Sequence, residues 1–214
     1  MPKFQNSAYI TVMLIIGLFG FNLSIRATND TFNINDYLNG INTLKAGFKQ
    51  TIFNSNNEVI DYSEGLIWLK KPEKLLWEFQ RPNIKKIILN SENLSIYENN
   101  LNQLLIVPYT DQYQSSLASI LINNNNLEAF YEIHSKINDG EFYTVTLFQK
   151  KNDSLFTKIE ITISEMLIHK IKLWDSSGQS ISIVLENVKM NISLLDSSFK
   201  FMPPKGVDIF DQRE

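Results

Sequence analysis

The sequence predicts a mainly β domain of the α+β class, with about eleven antiparallel strands and a few short helices. Three observations predict this fold. Short segments of alternating apolar and polar residues recur at roughly ten-residue spacing. Pro, Asn, Gly and Ser separate these segments. Apolar residues spaced by three and four positions are confined to two places. Such regularity is typical of an antiparallel barrel or sandwich.

The first segment of the chain has the pattern of an export signal. Lys3 precedes a nearly uncharged apolar run from Ile10 to Leu23, and Ser24-Ile-Arg-Ala27 follows it, which ends in a small residue. The run is shorter than the roughly 20 residues that a membrane span needs. We therefore expect a signal peptide at residues 1–27 and one domain at residues 28–214. An uncleaved anchor is the alternative.

Composition excludes several classes of partner. Removing residues 1–27 takes away Lys3 and Arg26 and no acid, so the formal charge falls from −3 to −5. A mildly acidic protein has no electrostatic reason to bind nucleic acid or anionic lipid. The chain has no cysteine, the residue on which bacterial lipoproteins are acylated, so we expect an export product that is not itself a lipoprotein.

The domain opens with a predicted amphipathic helix and continues with strands. Asn33 or Asn35 is its predicted cap, and its apolar positions are Ile34, Tyr37, Leu38, Ile41 and Leu44. A two-residue period begins at Ala46 and ends at Asn54. Further strands are predicted at Val59–Lys70, Lys74–Arg81, Lys85–Asn90, Leu94–Glu98 and Gln103–Pro108.

A second helix interrupts the strands at Gln114–Ile122 and ends at the asparagines of 123–126. Glycine-containing turns are predicted at Asn138–Gly140 and Asp175–Gly178. The remaining predicted strands are Phe130–Ile137, Phe142–Gln149, Lys158–Ser164, Leu167–Asp175, Ser180–Met190 and Ser198–Phe201.

Motifs for catalysis, metals and cofactors are missing from the sequence. His134 and His169 lie inside predicted strands without a ligand-spaced partner. Ser197 and Lys200 have the Ser-x-x-Lys spacing that occurs in serine acylases, but the companion motifs of those enzymes are lacking. No glycine-rich phosphate loop is present. We predict no cofactor, no metal and no enzymatic activity.

Aromatic and aliphatic side chains are concentrated on alternating positions of two strands. Leu75, Trp77 and Phe79 share one face of one strand, while Ile67 and Leu69 share one face of the preceding strand. An ordinary sandwich core has this pattern. A curved sheet that faces mobile helices would use the same pattern to bind an apolar ligand.

Two segments resemble a known family. They are Gly65 to Trp77, with its Trp-x-x-x-Pro-x-x-x-x-Trp spacing, and Phe199 to Arg213. With the opening helix, Phe48 to Gln50 and Leu94 to Tyr97, they resemble the periplasmic outer-membrane lipoprotein carriers, the LolA-type chaperones. The resemblance implies an unclosed barrel covered by a lid of helices, with a cavity for lipoprotein acyl chains.

The resemblance also implies which residues form the site. The predicted lipid-binding residues are Phe48, Ile67, Leu69, Leu75, Trp77 and Phe79, and the predicted lid residues are Leu117, Ile120 and Leu121. Lys71 stands where the family has an arginine that bonds to the lid. Strand alternation directs Lys71 toward the carbonyls that end the helix of the lid residues. Lysine keeps the charge and loses the planar fork of donors.

The resemblance finally implies partners and a location. It implies a monomer in the periplasm that receives acylated lipoproteins from an ATP-driven extractor in the inner membrane and gives them to an outer-membrane receptor. Exposing one methylene group to water costs about 0.8 kcal/mol. Exposing the anchor of a triacylated lipoprotein, with about forty methylene groups, would therefore cost on the order of 30 kcal/mol. A lipid- or peptide-sensing regulatory domain and a periplasmic hydrolase are the alternatives.

Overall fold

The computed structural model describes residues 32–109, 117–122, 127–138, 141–150 and 156–213. Within them it contains one sheet of twelve strands and two short α-helices. The helices are α1 (Ile34–Asn39) and α2 (Leu117–Ile122). The strands are β1 (Thr43–Phe53), β2 (Val59–Lys70), β3 (Lys74–Arg81), β4 (Lys85–Leu89), β5 (Asn93–Glu98), β6 (Gln103–Pro108), β7 (Tyr131–Asn138), β8 (Phe142–Gln149), β9 (Lys158–Ser164), β10 (Leu167–Trp174), β11 (Ser180–Met190) and β12 (Asp208–Asp211).

The strands follow one another as two antiparallel meanders. Their order in the sheet is β12-β6-β5-β4-β3-β2-β1-β11-β10-β9-β8-β7. Pairing of β1 with β11 joins the two meanders, and β12 pairs with β6 in the parallel direction. β7 and β12 lie at opposite ends of this order, and no ladder joins them in the described part of the chain. The predicted mainly β, unclosed antiparallel sheet with short helices is confirmed.

Most predicted strands are present within one residue of their predicted ends. β1 begins three residues before its predicted start at Ala46, and for Ser198–Phe201 the strand prediction is wrong. A 3-10 helix occupies Asp196–Phe199 instead, because this segment crosses the sheet rather than joining it. Phe199 is buried, and the ring of Phe201 lies 5.0 Å from that of Tyr97. The last strand, β12, lies further along the chain and makes twelve strands rather than about eleven.

The opening helix is shorter than predicted. Asn33 is its N-cap, and the side chain of Asn33 accepts hydrogen bonds from the backbone N–H groups of Asn35 and Asp36 at 2.9 and 3.2 Å. The helix ends at Asn39, before Gly40. Ile41 and Leu44, the last two predicted helical positions, are nevertheless buried. The apolar spacing therefore indicates burial correctly, but across a helix and the start of a strand.

The second helix is described from Leu117 to Ile122. The first residues of its predicted range, 114–116, lie outside the described residues, as do residues 123–126 and the last two of the predicted Asn138–Gly140 turn. The predicted turn at Asp175–Gly178 is confirmed. There the Asp175 carboxylate accepts from the backbone N–H of Ser177 at 2.8 Å, and Gly178 has a φ of +85°.

The main core lies on one face of the sheet, which we call the inner face and define by Phe48, Leu69 and Trp77. Side chains of α1 and α2 belong to the same buried cluster. Isoleucines, leucines and a valine fill the inner face of β8 to β11: Val145, Leu147, Ile159, Ile161, Ile163, Ile171, Leu173, Ile183 and Leu185. Among the described helices, none is long and apolar enough to span a membrane.

Candidate functional site

Strand register brings all six predicted lipid-binding residues together. Leu69 of β2 pairs with Leu75 of β3, and Ile67 pairs with Trp77. Gly65 pairs with Phe79 on one side and with Phe48 of β1 on the other. Paired residues in neighbouring strands point to the same face. The six side chains therefore form one apolar surface across three adjacent strands.

Three aromatic rings form the centre of this surface. The Phe48 ring meets the Trp77 and Phe79 rings edge-on, with centroid distances of 5.7 and 5.2 Å. The Trp77 and Phe79 rings are stacked, with centroids 5.9 Å apart and an angle of 2° between their planes. These distances lie within the range in which aromatic pairs are stabilising.

Gly65 lies between the two phenylalanines in the sheet. A Cβ atom at Gly65 would lie 1.8 Å from the backbone oxygen of Glu78. The ladder between β2 and β3 shifts its register at this residue, because the backbones approach closely there. No side chain separates Phe48 from Phe79 as a result, so their rings come into contact above the glycine.

Two of the three predicted lid residues pack on the same face. Ile120 and Leu121 of α2 are buried and belong to the cluster that contains Phe48, Leu75 and Trp77. Leu117 begins α2. Phe48, Ile67, Leu69 and Leu75 are almost wholly buried, whereas Trp77 is 9% exposed and Phe79 is partly buried. In this arrangement the helices cover the predicted binding residues.

The Trp77 side chain contributes a buried polar atom to this apolar surface. Its Nε1–H has no hydrogen-bond acceptor among the described residues. An unsatisfied buried donor costs about 1–3 kcal/mol. A bound molecule with a carbonyl group would supply the missing acceptor.

Lys71 follows β2 and contacts α1. Its ammonium donates a hydrogen bond of 2.7 Å to the carbonyl oxygen of Leu38, near the C-terminal end of α1. Carbonyls at a helix end lack partners within the helix and accept from such cations. Burial lowers the pKa of Lys71 from that of an ordinary lysine. The predicted bond to the end of α2 stays a prediction, since residues 123–126 lie outside the described residues.

Polar contacts that the sequence interpretation missed hold α1 in place. The Tyr37 hydroxyl donates to the Met166 carbonyl at 3.0 Å, and the Asn35 side chain accepts from the Leu127 backbone N–H at 3.1 Å. Asn191 accepts from the Asn42 backbone N–H at 2.8 Å and donates to the Gly40 carbonyl at 3.0 Å. Burial raises the pKa of Tyr37, so its hydroxyl remains a donor.

Apolar residues, most of them partly exposed, extend the inner face beyond β3. In strand register with Trp77 lie Ile87, Ile96, Leu105 and Phe210. In register with Leu75 lie Leu89, Leu94 and Val107. The sequence interpretation identified these strands but assigned none of these residues to the site. The two-residue spacing within β4, β5 and β6 is the signal that could have identified them.

Each of the two histidines lies in a strand and contacts a neighbouring side chain. His134 Nε2 lies 2.9 Å from the Glu132 carboxylate at the surface, and the His169 ring lies 5.7 Å from that of Phe142. Within the described ranges, no group of three or more His, Cys, Asp or Glu side chains is placed to hold a metal ion. What the described inner face can do chemically is bind an apolar group.

Known proteins share this sequence and fold. The model of the family described as "Outer membrane lipoprotein carrier protein LolA" matches residues 39–202. An outer-membrane lipoprotein carrier protein of Dechloromonas aromatica is 30% identical over 176 residues, 82% of this chain and 85% of that protein. A carrier of the same description from Chromobacterium violaceum is 29% identical over 173 residues, 81% of this chain and 83% of that protein.

A solved structure supports the fold alone. The crystal structure of an uncharacterized conserved protein from Thermus thermophilus has a TM-score of 0.54 and 12% sequence identity, and the match covers 83% of this chain and 96% of that chain. The family match spans most of the domain, from the end of α1 to the segment before β12. The chain therefore belongs to the outer-membrane lipoprotein carrier protein LolA family.

Proposed function

We propose that this protein carries lipoproteins through the periplasm by covering their acyl chains with the inner face of its sheet. The observation that carries the proposal is the continuous apolar surface over β1 to β3, which α1 and α2 cover. Family membership and the names of the relatives support it. The protein binds its cargo and leaves it chemically unchanged, so it is not an enzyme.

The proposed transfer runs without an energy source in the carrier. The sequence has no nucleotide-binding motif. The cargo therefore comes from an ATP-driven extractor in the inner membrane and passes to a receptor at the outer membrane. Transfer in this direction requires that the carrier bind acyl chains less tightly than the receptor does. A covered apolar surface meets this requirement, because the cargo must displace the helices before it binds.

Lys71 is proposed as the latch of this cover. Its bond to Leu38 joins the end of β2 to α1, and the Asn35–Leu127 bond joins α1 to the segment that follows α2. A charge-assisted hydrogen bond contributes about 1.5–3 kcal/mol, which is a suitable bias for a reversible cover. Cargo binding would break this bond and let the helices move away from the sheet.

A lipoprotein-release assay tests the proposed function. Inner-membrane vesicles that contain the extractor and a radiolabelled lipoprotein are incubated with ATP and the purified protein. We expect the lipoprotein in the supernatant as a one-to-one complex with its acyl chains intact. The control is the same incubation with an unrelated periplasmic protein. Hydrolysed cargo, or cargo that stays in the vesicles, would contradict the proposal.

A further inference from the structure

The inner face is more exposed at β12 than at β3. Ile67 and Trp77 are buried, Ile87, Ile96 and Leu105 are partly buried, and Phe210 is 50% exposed. These residues lie side by side, one in each strand, because the ladders from β2 to β12 place them in register. The row therefore runs from the covered core to the edge of the sheet.

A second row makes this surface two residues wide. Leu75 and Leu89 are buried, and Leu94 and Val107 beyond them are partly buried. We call the partly exposed part of both rows the apolar track, and it consists of Ile87, Leu94, Ile96, Leu105, Val107 and Phe210.

Polar groups border one side of the track. The next row of the same face contains Lys85 and Glu98, whose ammonium and carboxylate lie 2.9 Å apart, and Gln103. A charged border confines an apolar ligand to the two rows, because leaving them would desolvate an ion pair.

The other half of the sheet offers no comparable surface in the described residues. The inner-face side chains of β8 to β11, such as Val145, Ile161 and Leu173, are almost wholly buried in the core cluster. A ligand there would have to displace packed side chains. On the apolar track it would only cover surface that water already contacts, which is favourable.

The length of the row fits a hydrocarbon chain. Four steps between neighbouring strands separate Trp77 from Phe210, and at about 4.8 Å each they span roughly 19 Å. The hydrocarbon core of a bilayer is about 30 Å thick, so one acyl chain fills about 15 Å of it. One acyl chain can therefore lie across the strands from the edge of the sheet to the aromatic cluster.

Polar residues lie at the end of β12, beside Phe210 in the chain. Glu92, Asn93, Asp211 and Arg213 line an open depression beside β12, and the Arg213 guanidinium pairs with the Asp211 carboxylate. A lipoprotein anchor combines apolar chains with a polar glycerol and peptide part. The polar part would remain at the edge of the sheet, where these polar residues lie, while a chain lies on the track.

We propose that an acyl chain of the cargo lies along the apolar track, and that it enters at the edge formed by β12, where Phe210 is the first residue it contacts. This inference rests on the proposed function. It adds the path by which the chain reaches the covered surface over β1 to β3, and it assigns a binding role to β4, β5, β6 and β12.

Residue 209 provides a matched control. Ile209 precedes Phe210 in β12, is 54% exposed, and points to the opposite face because side chains alternate along a strand. Phe210→Asp and Ile209→Asp place the same charge at the same exposed edge. With a fluorescent long-chain fatty acid as probe, we expect Phe210→Asp to lower affinity about tenfold, and Ile209→Asp to bind like wild type.

Tryptophan variants test whether the acyl chain lies near residue 210, and they introduce no charge. A fatty acid brominated on its chain quenches tryptophan fluorescence at short range. We expect it to quench Phe210→Trp more than wild type, and Ile209→Trp no more than wild type. Comparison with wild type removes the signal of Trp68, Trp77 and Trp174.

The possible outcomes separate the two proposals. If wild type binds both fatty acids but the 209 and 210 variants behave alike in affinity and in quenching, the path along the track is wrong and the proposed function stands. If wild type binds neither fatty acid, the proposed function fails and the inference fails with it. Circular dichroism confirms that each variant is folded.

Discussion

Lys71 is the residue that we propose as the latch for the release of cargo. Because its bond to Leu38 holds α1 over the sheet, Lys71→Leu should favour the open arrangement and slow the transfer of bound lipoprotein to the receptor. Lys71→Arg should speed transfer, since arginine offers more donors to the same carbonyls. The measurement is the rate of transfer from preloaded protein to receptor.

Lys70 supplies the control for this prediction. It is adjacent in sequence, but its ammonium lies 2.6 Å from the Asp196 carboxylate in the segment that crosses the sheet. Lys70→Leu removes the same charge without touching α1, and its transfer rate should equal that of wild type. Equal rates for lysine, leucine and arginine at position 71 would show that Lys71 is no latch.

Gly65 permits a test of backbone approach. Gly65→Ala should lower the free energy of unfolding by several kcal/mol, because the Glu78 backbone cannot move away from the new Cβ without breaking the ladder. Gly47 in the neighbouring strand is the control, since its nearest Cβ neighbour is 3.7 Å away. Gly47→Ala should change stability by about 1 kcal/mol or less. Urea denaturation measures both, and similar losses would contradict this explanation.

At the scale of single elements, the segment between β11 and β12 is attached by its aromatic residues. Phe199 is 2% exposed, while Met202 in the same segment is 90% exposed. Phe199→Ala should cost about 3–5 kcal/mol of unfolding free energy, and Met202→Ala about 0.5 kcal/mol or less. Thermal and urea denaturation compare the two variants. A small cost at Phe199 would mean that the segment is not part of the cooperative core.

Strand positions could be predicted from sequence more reliably than helix ends. The boundaries of β2, β3, β6, β8, β9 and β11 agree with their predictions because alternation marks each strand, and turn residues such as Pro, Gly, Asn and Asp mark most of their ends. The opening helix was predicted too long. Ile41 and Leu44 continue its apolar spacing, but they are buried after the helix has ended, in the turn and at the start of β1. Local pattern cannot distinguish this arrangement from a longer helix.

The Ser198–Phe201 prediction failed for a related reason. Its alternating residues resemble a strand, but no neighbouring strand is free to pair with it, and its aromatic side chains pack on the sheet instead. Tertiary packing determines this outcome. The same limitation applies to Phe210, whose place beside Leu105 depends on a parallel pairing between residues far apart in sequence.

For the site, sequence spacing predicted which residues share a face, and the register brings Phe48, Ile67, Leu69, Leu75, Trp77 and Phe79 together. Spacing alone could not predict how deeply each is covered. It also could not show that Lys71 contacts α1, because that contact joins residues 33 positions apart through the turn that follows β2.

At the scale of the whole molecule, the proposed function requires export. We expect the protein recovered from the periplasm to begin at Thr28 and to be monomeric, because the apolar run before Ala27 is shorter than a membrane span. Intact mass spectrometry and sedimentation measure these properties. A mass that retains residues 1–27 would favour a membrane-anchored form, and a dimer in sedimentation would contradict the one-to-one complex with cargo.

The pairing of β1 with β11 has a consequence for the order in which the chain folds. It joins Leu44 to Met190, whereas the ladders within each meander join strands that follow one another in sequence. Closing so long a loop is slow compared with forming a hairpin. Each meander can therefore form early, but along the proposed export route the two halves would join only after β11 has crossed the membrane. We infer that the chain stays without its complete core throughout translocation, a condition that favours its passage through a membrane unfolded.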